Sequence, residues 1–135
     1  LPQYDVSFIA KSQGKASFDD RENEMPGRLC FALDLVGDAA LIAEYEAYHA
    51  SGRVWPEVVR DIRAAGIFAM EIWRTGDRLF MIMEVADDYP RARPAEPREA
   101  EWQRLMWRFQ KPLPNAAPGE KWVEMTRIFD LSECG

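Results

Sequence analysis

One histidine, His49, and two cysteines, Cys30 and Cys134, are the only imidazole and thiol groups in this 135-residue chain. A two-histidine zinc site is therefore out of reach, and neither Cys-x-x-Cys nor His-Glu-x-x-His occurs. The glycines are scattered, without Gly-x-Gly-x-x-Gly or a Walker lysine, so no phosphate-cradling loop is expected. No serine sits in a Gly-x-Ser-x-Gly turn, which leaves a serine triad without support. Basic residues are the minority, 17 against 23 acidic, for a formal charge of -6. Sequence-independent nucleic-acid binding needs a basic face, and no Lys/Arg run supplies one. No apolar stretch approaches the length of a bilayer span, and no basic-then-apolar leader opens the chain. Cys30 lies in a hydrophobic run and Cys134 at the far C-terminus, a placement that favours two free thiols over a disulfide. The expectation is a cytoplasmic protein with no metal, no nucleic-acid partner and no membrane contact.

What is present reads as one domain. Residues 1–27 are polar and aperiodic, ending in Met25-Pro26-Gly27, and are set apart as a flexible extension or upstream sequence. Residues 28–135 form the domain proper. Leu29, Phe31, Leu33 and Leu35 alternate as a first strand. Asp38 is placed to cap a helix carrying Leu41, Ile42, Tyr45, Tyr48 and His49, which Ser51-Gly52 ends. Pro56 opens a second helix and Gly66 closes it. "IFAMEIW" and "RLFMIMEV" read as a hairpin across Arg74-Thr75-Gly76-Asp77. After a loop marked by Pro90, Pro94 and Pro97 comes an amphipathic helix with Trp102, Leu105, Met106 and Phe109 on one side. A last strand is expected over "KWVEMTRIFDL". The order β-α-β-β-α-β predicts an α+β fold, a ferredoxin-like antiparallel four-stranded sheet with helices on one face. Its exposed edge invites pairing of two subunits.

The chemistry concentrates around "YEAYH". Tyr45 and His49 lie one helical turn apart and so project from one face. Taken alone, a histidine on an apolar face is more often a satisfied core residue. Facing a cavity, it is the side chain best suited to exchange protons near neutral pH. The tryptophans at 55, 73, 102, 107 and 122 read mostly as packing, with one or two available to cover the C–H face of a sugar. Among carboxylates at element edges and in strands (Glu57, Glu71, Glu84), the alternation puts Glu84 in register with Phe80 and Ile82, taken as a buried row.

The run Tyr45-Glu46-Ala47-Tyr48-His49, then Trp55-Pro56-Glu57, resembles the L-rhamnose mutarotase family, and the likeness extends over about residues 28 to 131. The resemblance implies a dimeric α+β barrel that interconverts the anomers of a 6-deoxy sugar, L-rhamnose first and L-fucose as the alternative, without metal or organic cofactor. It makes His49 the proton donor, Tyr45 a substrate-binding tyrosine, and Trp102 the first of a sugar-contacting tryptophan pair. Three positions depart from the pattern. Gln103 stands where the second tryptophan would be, Met70 where a further substrate-binding tyrosine would be, and the segment from His49 to Trp55 is longer. Met70 and Gln103 thus remain substrate-contact positions with altered chemistry, and reaction type is better specified than sugar identity.

Mutarotation requires one proton delivered to the ring oxygen and another removed from the anomeric hydroxyl. His49 would give the first, with water or a carboxylate such as Glu84 as the base. Two rival readings share this architecture. One is a cofactor-independent monooxygenase or lactone isomerase, marked by action on flat hydrophobic substrates. The other is a non-catalytic sugar-binding domain, in which His49 is structural and anomer exchange stays at background.

Overall fold

In the computed structural model, residues 27–134 are described. The expectation of a flexible extension falls on residues that lie outside them, apart from Gly27, which opens the first strand. Strand β1 (Gly27–Leu35) is followed by helices α1 (Ala39–Tyr48) and α2 (Pro56–Ala64). Strands β2 (Ile67–Thr75) and β3 (Arg78–Val85), helix α3 (Pro97–Trp107) and two short strands, β4 (Gln110–Lys111) and β5 (Val123–Glu124), complete the domain. No described helix is long and apolar enough to cross a membrane.

Local chemistry accounts for the element ends. The Asp38 carboxylate accepts the Leu41 amide at 3.0 Å and starts α1, as the sequence predicts. Pro56 and Pro97 occupy first-turn positions of α2 and α3, where a missing N–H costs nothing. The β2–β3 turn is tighter than a four-residue connection, because Thr75 already pairs with Arg78. Only Gly76 and Asp77 remain between them, and Gly76 adopts φ 58°, which glycine tolerates without strain.

The sheet is antiparallel and runs β2-β3-β1, with β4 and β5 both on the outer edge of β1. This is the ferredoxin-like α+β arrangement, with one correction. The expected fourth strand over 121–131 forms a ladder only at Val123–Glu124, and Gln110–Lys111 fills the other part of the same edge. The intervening segment carries Pro112, Pro114 and Pro118, which cannot donate to a ladder. Beyond it, Ile128 and Leu131 are 92% and 76% exposed, so that arm has no sheet face to bury against.

Leu29, Phe31, Leu33 and Leu35 are all buried, as their alternation predicts. Two apolar clusters form the core. One gathers Phe31, Met81, Met83 and Val85 under Ala65 and Ile67. The other gathers Leu35 and Leu79 with Tyr45, Val58, Trp102, Met106 and Phe109 from the helical side. Ile62, Ile72 and Trp122 pack against both. Asp61 and Arg93, both largely buried, form a two-pronged ion pair at 2.8 and 3.2 Å that ties α2 to the proline-marked loop.

Candidate active site

Between the two core clusters lies a cavity of about 130 Å³. Tyr45, His49, Met70, Trp102 and Gln103, the five positions singled out from the sequence, all line it. Strands β2 and β3 add Ile72, Met81 and Met83, α3 adds Glu99, and β4 and the residue before β5 add Gln110 and Trp122. A larger hollow of about 330 Å³, bordered by Glu46, Trp73 and Arg74, shares Tyr45, His49 and Ile72 with it. His49 therefore stands between two spaces.

His49 is the residue just past the end of α1, where the helix leaves carbonyls without amide partners. Its Nδ1 lies 2.8 Å from the Tyr45 carbonyl oxygen. A carbonyl can only accept, so Nδ1 carries the hydrogen and Nε2 is left to exchange protons. Burial lowers the histidine pKa below its ordinary value, and the bond to the Tyr45 carbonyl opposes part of that drop. The Tyr45 and Trp102 rings hold the imidazole at centroid distances of 4.4 and 5.5 Å. Trp55 meets Trp102 edge-on at 5.2 Å, and the Arg98 guanidinium covers Trp55 at 3.7 Å.

Tyr45 is 3% exposed, and its hydroxyl accepts a hydrogen bond from Gln110 Nε2 at 3.2 Å. Burial raises the phenol to about 12, with the Gln110 bond pulling the other way. It is thus a hydrogen-bonding group at neutral pH and does not titrate there.

A buried charged network, absent from the sequence reading, completes the helical side. Gln103 Nε2 donates to Glu99 Oε2 at 2.8 Å, and Lys121 Nζ donates to Gln103 Oε1 at 2.6 Å. Glu99 and Lys121 are 5% and 2% exposed. Burial pulls the lysine down to about 7, against the opposing charge of Glu99. Glu99 had a legible signal, since it shares one face of α3 with Trp102, Gln103 and Met106 at helical spacing. Lys121 and Gln110 had none: they flank the proline-rich loop, and no spacing in the sequence brings either to the other site residues.

Glu84 is not at the site. The buried row of β3 is Leu79, Met81, Met83 and Val85, and Glu84 lies on the opposite, half-exposed face opposite Arg28 at 3.5 Å. Both faces of β3 are apolar, so alternation alone could not tell which one meets the core. Glu57 and Glu71 also lie off the cavity, Glu57 3.8 Å from Arg98 and Glu71 accepting the Trp73 indole N–H at 2.9 Å.

Comparison with known proteins gives the same picture. The crystal structure of an L-rhamnose mutarotase from Formosa agariphila superposes with a TM-score of 0.56 at 18% identity, over 77% of this chain and 97% of that one, a likeness of fold. An L-fucose mutarotase of Xanthomonas campestris pv. campestris is 58% identical over 111 residues, 78% of this chain and 89% of the relative. A UPF0734 protein of Dictyostelium discoideum is 38% identical over 109 residues, 74% of this chain and 86% of that protein. The family model for L-rhamnose mutarotase matches residues 28–131, the span that carries every strand and helix around the cavity. The chain belongs to the L-rhamnose mutarotase family of isomerases.

Proposed function

We propose that residues 28–135 form an aldose mutarotase that interconverts the α and β anomers of a 6-deoxy hexose, with His49 and Glu99 as its two proton-carrying groups. The observation that carries this reading is the convergence of His49, Tyr45, Met70, Trp102 and Gln103 on one cavity, together with one carboxylate, Glu99. The protonated His49 Nε2 gives its proton to the ring oxygen as the bond to C1 breaks. Glu99 takes the proton of the anomeric hydroxyl, which becomes the aldehyde oxygen. After rotation about C1–C2 the freed hydroxyl attacks the other face of C1. Its proton returns to His49, and Glu99 hands its own back to the new anomeric oxygen. The burial that depresses the histidine pKa makes its imidazolium the stronger acid. Trp102 covers a C–H face of the sugar, while Met70 and Gln103 contact its rim.

L-Fucose is the preferred substrate in this reading. The 58% identical relative is named for it, and Met70 and Gln103 depart from the pattern associated with L-rhamnose. L-Rhamnose remains the second reading through the family model. Phe68, Trp73, Ile128 and Phe129 are each more than half exposed, apolar side chains whose burial between two copies would favour a homodimer. Cys30 and Cys134 are free thiols, which supports a reducing, cytoplasmic setting.

The test is anomer exchange followed by NMR with L-fucose and L-rhamnose, for wild type and His49→Ala. The variant is expected to lose ~10²- to 10⁴-fold in catalysed rate while its circular dichroism is unchanged. Full activity in that variant would remove His49 from the chemistry.

A further inference from the structure

Two glutamines line the cavity, Gln103 from α3 and Gln110 from β4, and they are held differently. Gln103 has both ends of its amide engaged, by Glu99 and by Lys121. Gln110 is engaged at one end only: Nε2 donates to the Tyr45 hydroxyl, and Oε1 is buried without a partner among the described residues. The residue is 6% exposed, and its backbone is pinned opposite Leu35 in the β4–β1 ladder, so the amide is not free to turn out to solvent. Buried polar side-chain atoms are nearly always satisfied, and one that is not, on a cavity wall, points to a ligand atom.

We propose that Gln110 is a specificity-determining residue, its Oε1 accepting a hydrogen bond from one ring hydroxyl of the bound sugar. An amide oxygen can only accept, so it asks for an O–H and rejects a C–H at the same place. L-Fucose and L-rhamnose differ only in how their C2 and C4 hydroxyls are set. A single fixed acceptor beside Tyr45 is therefore enough to tell such sugars apart. The site is tuned by what a hydroxyl leaves unpaired when it is missing, which discriminates more sharply than the loss of an apolar contact.

The inference rests on the mutarotase reading, and the experiment separates the two. Catalysed anomer exchange (kcat/KM by NMR) is measured for wild type, Gln110→Met and Gln110→Glu. The substrates are L-fucose, L-rhamnose and the analogues of the better one lacking the hydroxyl at C2, C3 or C4. In wild type one analogue should fall by roughly 5- to 150-fold, equivalent to about 1–3 kcal/mol at 1.4 kcal/mol per factor of ten. Gln110→Met should reduce exchange of the parent sugar by a similar factor and treat that analogue as the parent's equal. Gln110→Glu, which keeps an acceptor, should retain the discrimination, and circular dichroism of both variants controls for folding. Unchanged exchange of the parent sugar in Gln110→Met means that the amide oxygen meets only water, and overturns the proposal. Discrimination that survives in Gln110→Met overturns it too, as does a wild type that treats all three analogues as it treats the parent. A wild type that catalyses no exchange of any sugar instead overturns the mutarotase reading, and this proposal with it.

Discussion

The two walls of the cavity are built on opposite principles. The sheet wall, Met70, Ile72, Met81 and Met83, offers no strong hydrogen-bonding group and continues directly into the core. The other wall, built by α1 and α3 and closed by the short strand β4, and called the helical wall, holds the histidine, the carboxylate and both glutamines. There, the polar groups anchor one another, His49 by the Tyr45 carbonyl, Gln103 by Glu99 and Lys121, the Tyr45 hydroxyl by Gln110, and the Gln110 Oε1 is the exception. A polar group out of water is costly unless paired, so polar residues brought into a dry cavity come as a network. The sheet side can be repacked as any core is. On the helical side one substitution disturbs several partners. In the proposed mechanism, shape thus comes from one wall and proton chemistry from the other.

That division is broken most directly by one substitution on each wall. Glu99→Gln should lower kcat by ~10²- to 10⁴-fold, the range for a lost acid–base group, while thermal unfolding shifts little. Stability is spared because Lys121, with a pKa already near 7, can shed its proton once its carboxylate neighbour is gone. Met83→Ala, at a position 0% exposed, should do the reverse. It should cost ~2–5 kcal/mol in urea unfolding, with kcat for the folded fraction held within a few-fold. A kcat loss below tenfold in Glu99→Gln would hand the base to water and dissolve the contrast between the walls.

The two walls were also unequally legible in the sequence. Strand alternation at Leu29, Phe31, Leu33 and Leu35 has one physical solution when one face must be buried, and the first strand followed from it. His49 and Tyr45 were readable because helical spacing puts them together whatever the tertiary structure does. Glu84 was misplaced because β3 is apolar on both faces, and which face meets the helices is settled by packing. Gln110 and Lys121 become site residues only through the β4–β1 pairing and the return of the chain to β5 beyond the prolines. Contacts that far apart along the chain leave no local trace. The same distance hid the shortness of the last strand, since "KWVEMTRIFDL" alternates well but finds a partner only at Val123–Glu124.

A gentler probe of the helical wall is the pH dependence of stability. The Lys121 ammonium has an ordinary value of 10.5 and is pulled to about 7 in the folded chain. Between those values the unfolded chain holds a proton that the folded chain has lost, so this group makes stability rise with pH. The rise is at most about 1.4 kcal/mol per pH unit, and it vanishes below the folded value and above the unfolded one. Urea unfolding of wild type and Lys121→Met between pH 6 and pH 10 isolates it. The wild-type curve should climb relative to the variant across that window. Parallel curves would mean that the lysine is charged in the fold throughout, and that the wall carries a full buried ion.

The smallest expected effect is the most selective, because it separates hydrogen bonding from proton transfer within a single wall. Tyr45 touches the His49 ring and lines the same cavity, so it competes with His49 and Glu99 for the role of proton carrier. Its phenol at about 12 argues against that. Tyr45→Phe keeps the ring that supports the imidazole and the backbone carbonyl that fixes Nδ1. It removes only the hydroxyl, and with it the bond from Gln110. The loss should be about 0.5–1.5 kcal/mol, the net worth of one neutral hydrogen bond, seen as a few-fold rise in KM. The pH profile of kcat/KM should not move. In wild type and variant alike, activity should fall as pH rises past the depressed histidine value, where the imidazolium proposed as the acid is lost. A rise in activity over that range in both proteins would make neutral His49 the base and reverse its assignment with Glu99. A limb that disappears only in Tyr45→Phe would make the tyrosine the carrier, and the helical wall would then work through its hydroxyl.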